Sequence, residues 1–129
     1  MISFKEYISE AYKKNTSYIV ETEAYGTFEV AEDKTDTDSL QEIEFKIEAD
    51  VSVYEPSAEL RVQKGKYEMT IKSSKVYFNE DFMLGKIKFR KGQEVTDQFI
   101  KKYCDTFKSL KELLNTYEDE LYSNVEDNM

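Results

Sequence analysis

The strictest pattern in this chain is a run over residues 42–53 in which polar and apolar side chains alternate without interruption. The apolar members are Ile43, Phe45, Ile47, Ala49, Val51 and Val53. Successive side chains of a β-strand point to opposite faces, so this run predicts a strand with one buried face and one face in solvent. Since a lone strand is unstable in water, the chain must build a sheet that is covered on one side.

Further short runs predict the remaining strands of that sheet. They lie at residues 18–30, 58–62, 67–71, 76–78 and 84–89. The polar segment 31–41 predicts a loop between the first two strands. No helical pattern of the length that a parallel crossover needs separates these runs. We therefore expect an antiparallel meander of about five or six strands over residues 17–91.

The N-terminal residues predict a helix. Ser3 and Glu6 form a capping box, and a stripe of apolar side chains at helical spacing runs through the same segment. The stripe consists of Phe4, Tyr7, Ile8, Ala11 and Tyr12. Residues 1–14 are accordingly expected to form a short helix or to serve as a targeting segment.

The C-terminal part of the chain predicts a second, longer helix. Thr96 suits the capping position, and an apolar seam with alternating steps of three and four residues follows it. The seam consists of Ile100, Tyr103, Phe107, Leu110, Leu114, Tyr117 and Leu121. It predicts one long helix over 95–123 with a frayed tail at 124–129, and either packing against the sheet or self-association as a homodimer. The predicted fold is a single α+β domain over 1–129.

Charge is divided unevenly along the chain. The net charge is −9, but residues 21–60 carry thirteen acidic and two basic side chains, and residues 61–111 carry thirteen basic and six acidic ones. Two interpretations follow. Either acidic and basic strands are neighbours whose cross-strand pairs neutralise each other, or the acidic strands present a dense carboxylate face to solvent.

The second interpretation defines a candidate binding surface on the polar faces of the first two strands. Its members are Glu21, Glu23, Tyr25, Glu29, Glu42, Glu44, Glu48 and Asp50. Such a face attracts a basic surface on a partner protein, including one that normally binds DNA. Direct binding of nucleic acid is disfavoured, because a chain of net charge −9 repels phosphates.

Several catalytic classes are excluded by the residue types that the chain lacks. It has no histidine, one cysteine and four isolated glycines, which excludes histidine-based triads, the common zinc sites and glycine-rich phosphate loops. The carboxylates of Asp38 and Glu44 with the amine of Lys46 fit a metal-dependent nuclease. Asp33, Asp36 and Asp38 lack the spacing of a calcium loop. We expect no enzyme activity, no metal and no cofactor.

The opening residues MISFKEYISEAY resemble the start of small proteins of T-even-like tailed bacteriophages, where Met-x-(Thr/Ser)-(Phe/Tyr)-x-Glu-(Phe/Tyr)-(Ile/Leu)-x-Glu-Ala is frequent. In the internal head proteins of that group, such a segment directs the protein into the prohead, and a maturation protease cuts after (Leu/Ile)-x-Glu. The resemblance implies cleavage after Ile8-Ser9-Glu10, which leaves Ala11 as the new N-terminus.

These observations together predict a non-enzymatic, acidic protein-binding module, namely a phage accessory protein that is head-associated or acts on a host protein. Its expected partner is a protein with a basic surface or a phage structural protein. An inhibitor that imitates nucleic acid and a metal-dependent nuclease are the alternatives. We expect it in the host cytoplasm or the virion, since it has no secretory signal and no apolar run of membrane-spanning length.

Overall fold

A computed structural model describes residues 16–55 and 68–127 of the chain. Three long strands, β1 (Thr16–Val30), β2 (Gln41–Glu55) and β3 (Glu68–Phe78), form an antiparallel sheet in that order. Two short strands, β4 (Phe82–Leu84) and β5 (Ile87–Phe89), form a separate hairpin. Helices α1 (Asp97–Tyr103), α2 (Leu110–Thr116) and α3 (Glu118–Asp127) follow. A single 3₁₀ turn, Thr37–Ser39, interrupts the loop between β1 and β2.

The alternation in β2 produces the two faces that it predicts. Phe45, Ile47 and Val53 are completely buried, while Glu44 and Glu48 between them are exposed. The buried face of the sheet packs against the hairpin and the three helices, whose apolar side chains complete the core. The predicted α+β class with an antiparallel sheet and a C-terminal helix is therefore confirmed.

A cluster of phenylalanines joins the hairpin and α1 to the sheet. The rings of Phe82 and Phe89 stack with centroids 4.9 Å apart, and Phe78 of β3 meets Phe82 edge-on at 5.0 Å. Phe99 of α1 contacts Phe78 at 4.9 Å. Such ring pairs add to the free energy gained by apolar burial, so they hold these elements over one end of the sheet.

The predicted meander of five or six strands is wrong in its detail, because the described strands form a three-stranded sheet and a separate two-stranded hairpin. Residues 68–71 and 76–78, which belong to two separate predicted runs, lie in one continuous strand, β3, with a register shift opposite Asp50 and Val51. The run at 84–89 is divided by a tight turn at Gly85, whose φ of +60° suits a residue without a Cβ.

The predicted single helix over 95–123 is also wrong, because three helices occupy this part of the chain. Thr96 caps α1 as expected and accepts a hydrogen bond from the Phe99 backbone N–H. The helix ends at Tyr103, since the next backbone groups bond to β1 instead: the Asp105 N–H donates to the Glu29 carbonyl at 2.9 Å. Tertiary hydrogen bonds thus replace those that a continued helix would make.

The predicted frayed tail at 124–129 is wrong for its first four residues, because α3 continues to Asp127. Val125 is completely buried against Val51 and Val53 of β2. The predicted N-terminal helix and the predicted strand over 58–62 lie outside the described residues.

Candidate functional site

The eight residues predicted to form an acidic surface all lie on the solvent-facing side of β1 and β2. Seven of them are exposed and Asp50 is half-buried. We call this set the acidic face, and it consists of Glu21, Glu23, Tyr25, Glu29, Glu42, Glu44, Glu48 and Asp50. The sequence pattern therefore placed these side chains on one surface, as the alternation requires.

Acidic residues oppose acidic residues across the β1–β2 ladder. The like-charged opposite pairs are Glu21 with Asp50, Glu23 with Glu48, and Glu29 with Glu42. Like charges directly opposite on neighbouring strands destabilise a sheet. The expected neutralisation of acidic strands by neighbouring basic ones is met at one position of the β2–β3 ladder, where Lys75 lies opposite Glu48, but β1 and β2 are both acidic and these three pairs stay like-charged.

The opposed acids of β1 and β2 also form those pairs of the antiparallel ladder in which the two Cα atoms lie closest together. The Glu29 N–H donates to the Thr106 hydroxyl at 2.8 Å and its carbonyl accepts from Asp105, so both backbone groups point away from β2. Residues of this kind form the non-hydrogen-bonded pairs of an antiparallel ladder, whose Cα atoms are only about 4.5 Å apart. Since every second residue of β1 shares this orientation, Glu21 and Glu23 are placed in the same way.

The centre of the acidic face is built differently, because Tyr25 lies opposite Lys46 there. The Tyr25 hydroxyl donates to a Glu23 carboxylate oxygen at 2.7 Å, and this hydrogen bond raises the pKa of the tyrosine. The Lys46 ammonium lies 2.9 Å from Glu48, which raises the pKa of the lysine. An aromatic side chain that is 47% exposed thus stands between two groups of carboxylates.

The third strand extends the surface with residues that the sequence interpretation did not include. Lys75 lies opposite Glu48, and the Ser73 hydroxyl donates to Asp50 at 3.3 Å. Together with Tyr77 they line one side of an open groove of about 600 Å³ across the face, whose other side carries Glu21 and Glu23. Ser73, Lys75 and Tyr77 are two residues apart in the sequence, which is the spacing of one strand face. The sequence prediction missed this pattern because it divided the strand into two separate runs.

The carboxylates with predicted metal chemistry have other partners. Glu44 accepts a hydrogen bond from the Asn79 side-chain amide at 3.1 Å, and Lys46 pairs with Glu48. In the loop, the carboxylates of Asp33 and Asp36 accept hydrogen bonds from the backbone two residues farther on. Residues 16–55 and 68–127 contain no group of three or more carboxylates, cysteines or histidines that could hold a metal ion.

The apolar seam proposed for self-association is largely internal. Its buried members are Ile100, Tyr103, Phe107 and Leu121. Leu110, Leu114 and Tyr117 are half-buried, and the first two line a groove of about 670 Å³ with Ile71 of β3. The break between α1 and α2 interrupts the seam. Self-association through these residues stays a prediction, and only the half-buried members are accessible to a second copy.

Comparison with protein-family models, curated proteins and solved structures finds no match to this chain. Among the helices of the described residues, none has both the length and the apolar character that crossing a membrane requires. The functional assignment therefore depends on the geometry and charge of the acidic face.

Proposed function

We propose that this protein is a non-enzymatic binding module whose acidic face docks a basic surface of a partner protein. The observation that carries the proposal is the opposition of acid to acid at three positions of the β1–β2 ladder. An arrangement that lowers the stability of the free protein is expected at functional surfaces, where a bound partner supplies the missing positive charge.

The composition of the face supports a protein partner. Tyr25 is half exposed at the centre of the face, and tyrosine is one of the residues that most often contribute large free energies at protein interfaces. The surrounding carboxylates then steer the approach of the partner and determine its orientation. Lys46 is a further central contact, since it separates the acidic groups on β2.

The density of charge favours this general role over close imitation of duplex DNA. Along the paired stretch of β1 and β2 that runs from Glu21 to Glu29, the acidic face carries seven carboxylates, and Lys46 lies among them. At about 3.4 Å per residue this stretch is about 27 Å long, so it has about one net charge per 4.5 Å. Duplex DNA has one charge per about 1.7 Å. Inhibition of a nucleic-acid-binding enzyme is thus a second candidate, supported by the sign of the charge alone.

We also propose that the protein acts during phage infection. The resemblance of residues 1–12 to the start of small proteins of T-even-like tailed bacteriophages supports a phage accessory protein, with a host protein or a phage structural protein as its partner. Mass spectrometry of purified particles tests a head association. A protein starting at Ala11 in the particles supports processing, whereas absence from the particles leaves a role in the host cytoplasm.

The test of the binding role compares two variants of equal net charge. One replaces three acids of the face, Glu23→Gln, Glu29→Gln and Glu48→Gln. The control replaces three exposed acids of α3, Glu120→Gln, Glu126→Gln and Asp127→Asn. Proteins captured from infected cells by the wild type are identified first, and binding of the purified partner is then measured at low and high salt.

We expect the face variant to lose binding and the α3 variant to retain it, with wild-type affinity falling steeply as salt rises. Equal binding by both variants, or binding that does not change with salt, would contradict the proposal. Incubation of the wild type with single-stranded and duplex DNA and Mg²⁺ addresses the nuclease alternative. Absence of cleavage ends that alternative, and cleavage that Glu44→Ala abolishes would establish it.

A further inference from the structure

Within the part of the chain that the structure describes, the free edge of β1 is covered along only part of its length. At one end, the Glu29 backbone bonds to Thr106 and Asp105 in the segment between α1 and α2. Farther back along the strand, the Glu23 carbonyl accepts a hydrogen bond from the Asn124 side chain at 2.8 Å. Within residues 16–55 and 68–127, no backbone group bonds to Ser17, Ile19 or Glu21 from this side, since β1 pairs only with β2.

The orientation of the backbone at this edge follows from the same contacts. Both Glu29 and Glu23 direct backbone groups outward, and the register of β1 with β2 is unbroken from Thr16 to Val30. Backbone groups of a strand alternate in direction, so every second residue shares the orientation of Glu29. The N–H and carbonyl groups of Ile19 therefore point away from β2, toward the edge that no described residue covers at this point.

This stretch has few of the devices by which proteins protect an edge strand, since Glu21 is its one charged residue. Residues 17–21 read Ser-Tyr-Ile-Val-Glu and contain neither lysine nor proline, and no bulge interrupts their pairing. The other edge of the sheet is protected by a bulge and by a lysine. Strand β3 shifts register at the bulge, and Lys72 lies at that point. Ile19, with 56% of its surface exposed, is the most exposed large apolar residue described.

We propose that a second copy of this chain pairs with the β1 edge in antiparallel orientation, about a two-fold axis centred on Ile19. This register makes Ile19 face Ile19 of the second copy as a hydrogen-bonded pair. Ser17 then faces Glu21 of the second copy on both sides of the axis. The pairing forms about six backbone hydrogen bonds, two at each of the three residue pairs.

The chemistry of the side chains selects this register. In the proposed pairing a β-branched apolar side chain meets its equal, and each carboxylate meets a hydroxyl. A shift that centres the axis on Glu21 would oppose two carboxylates. It would also place Ile19 opposite Glu23, whose carbonyl is already bonded to Asn124. Of these two alignments, the charges of the edge and the contacts of its described residues favour the one centred on Ile19.

The consequence is a six-stranded sheet in which the two acidic faces lie on the same side. A two-fold axis perpendicular to the sheet keeps equivalent faces together, so the carboxylates of both copies approach one another. Their repulsion opposes association, and salt screens it. The dimer is therefore strengthened by salt, whereas docking of a basic partner on the acidic face is weakened by salt. The two proposals can therefore fail separately.

Sedimentation equilibrium of the full chain measures the association directly. We expect the mass to rise with concentration from 15.2 kDa toward twice that value, and to do so at lower concentration in high salt. Ile19→Pro removes the outward N–H without removing a hydrogen bond to β2, and should give a monomer with an unchanged circular dichroism spectrum. Ile19→Thr, the matched control, keeps the N–H and should weaken association less.

Disulfide trapping identifies the register. Cα atoms of a hydrogen-bonded antiparallel pair are about 5.5 Å apart, which suits a disulfide. Under mild oxidation Ile19→Cys should form a covalent dimer, and Thr27→Cys on the covered part of the strand should not. Ser17→Cys and Glu21→Cys should cross-link only when mixed. The native Cys104 is buried, so the wild type gives the background.

Three results would overturn the inference. The first is a wild type that is monomeric at all concentrations and salt conditions. The second is a dimer that Ile19→Pro leaves unchanged, because association would then use another surface. The third is trapping of Ile19→Cys no faster than that of Thr27→Cys.

Discussion

The ring of Tyr117 occupies the space that Gly26 leaves open above β1. A Cβ atom added at Gly26 would lie 2.5 Å from Cζ of Tyr117 and 2.7 Å from Cζ of Phe45, far inside van der Waals contact. Tyr117 and Phe45 meet edge-on with ring centroids 5.3 Å apart. Tyr117 also lies at the junction of α2 and α3, so this contact positions both helices on the sheet.

Gly26→Ala is expected to destabilise the protein by about 1–3 kcal/mol, the usual cost of overpacking a well-filled core. Urea unfolding of the purified variant measures the change in the free energy of unfolding. Tyr117→Ala is the partner substitution, because it empties the space that the new methyl group needs. The double variant should be less destabilised than the sum of the two single variants. If the destabilisation of the double variant equals the sum for the two single variants, contact with Tyr117 is not the reason that position 26 requires glycine.

Replacing one acid of an opposed pair by lysine should stabilise the free protein. Glu29→Lys places an ammonium opposite Glu42, and we expect a gain of roughly 0.2–1 kcal/mol that shrinks as salt rises. Glu68→Lys is the control, since it makes the same charge change on an exposed strand position opposite Tyr54. Thermal unfolding of both variants at low and high salt gives the comparison. An equal gain at both positions would indicate a general effect of net charge and not of the opposed pair.

The two faces of the sheet were predictable because they depend on local alternation. Residues 42–53 point in turn to the core and to solvent, whatever their neighbours are. The opposition of Glu23 to Glu48 was not predictable in this way, because the period of a strand defines its faces and leaves its neighbours and register open. The side chains of the acidic face were therefore predictable one by one, but the opposition of acid to acid between β1 and β2 was visible only in the structure.

The division of the C-terminal helix shows the same limit. The apolar steps of three and four residues continue across Tyr103 and Leu110, yet the backbone between them bonds to β1. That competition comes from residues more than seventy positions away in the sequence, such as Glu29. One local signal was available, since Ser109 and Glu112 have the spacing of a capping box, and Ser109 does cap α2.

Stability should fall in acid through Asp97, which connects α1 to α2. Its carboxylate accepts a hydrogen bond from the Leu110 N–H at 2.9 Å and pairs with Lys101 at 3.0 Å, and these contacts lower its pKa below the ordinary value of an aspartate. A carboxyl with a lowered pKa in the folded state stabilises it above the unfolded-state pKa and loses that contribution as the pH falls. Urea unfolding from pH 7 downward should show a loss that begins near pH 4.

Asp97→Asn isolates this contribution, because the amide oxygen still accepts the hydrogen bond from Leu110 but does not titrate. We expect the variant to be less stable than the wild type at pH 7 and to lose less stability in acid. Asp105→Asn is the control, since that exposed carboxyl has no ion pair with the described residues. Parallel acid profiles of the wild type and Asp97→Asn would exclude Asp97 as the titrating group.

The last helical turn of α3 should contribute substantially to stability, although the sequence predicted a frayed tail there. Val125 is completely buried against Val51 and Val53. Val125→Ala removes two buried methyl groups and should lower the free energy of unfolding by about 2 kcal/mol. Each buried carbon contributes about 0.8 kcal/mol, and the cavity left behind adds to the loss. The adjacent Glu126 is exposed, so Glu126→Ala is the matched control and should change the unfolding free energy little. Hydrogen exchange should show α3 amides opening faster in Val125→Ala alone, and equal exchange in the two variants would mean that this turn is not anchored to β2.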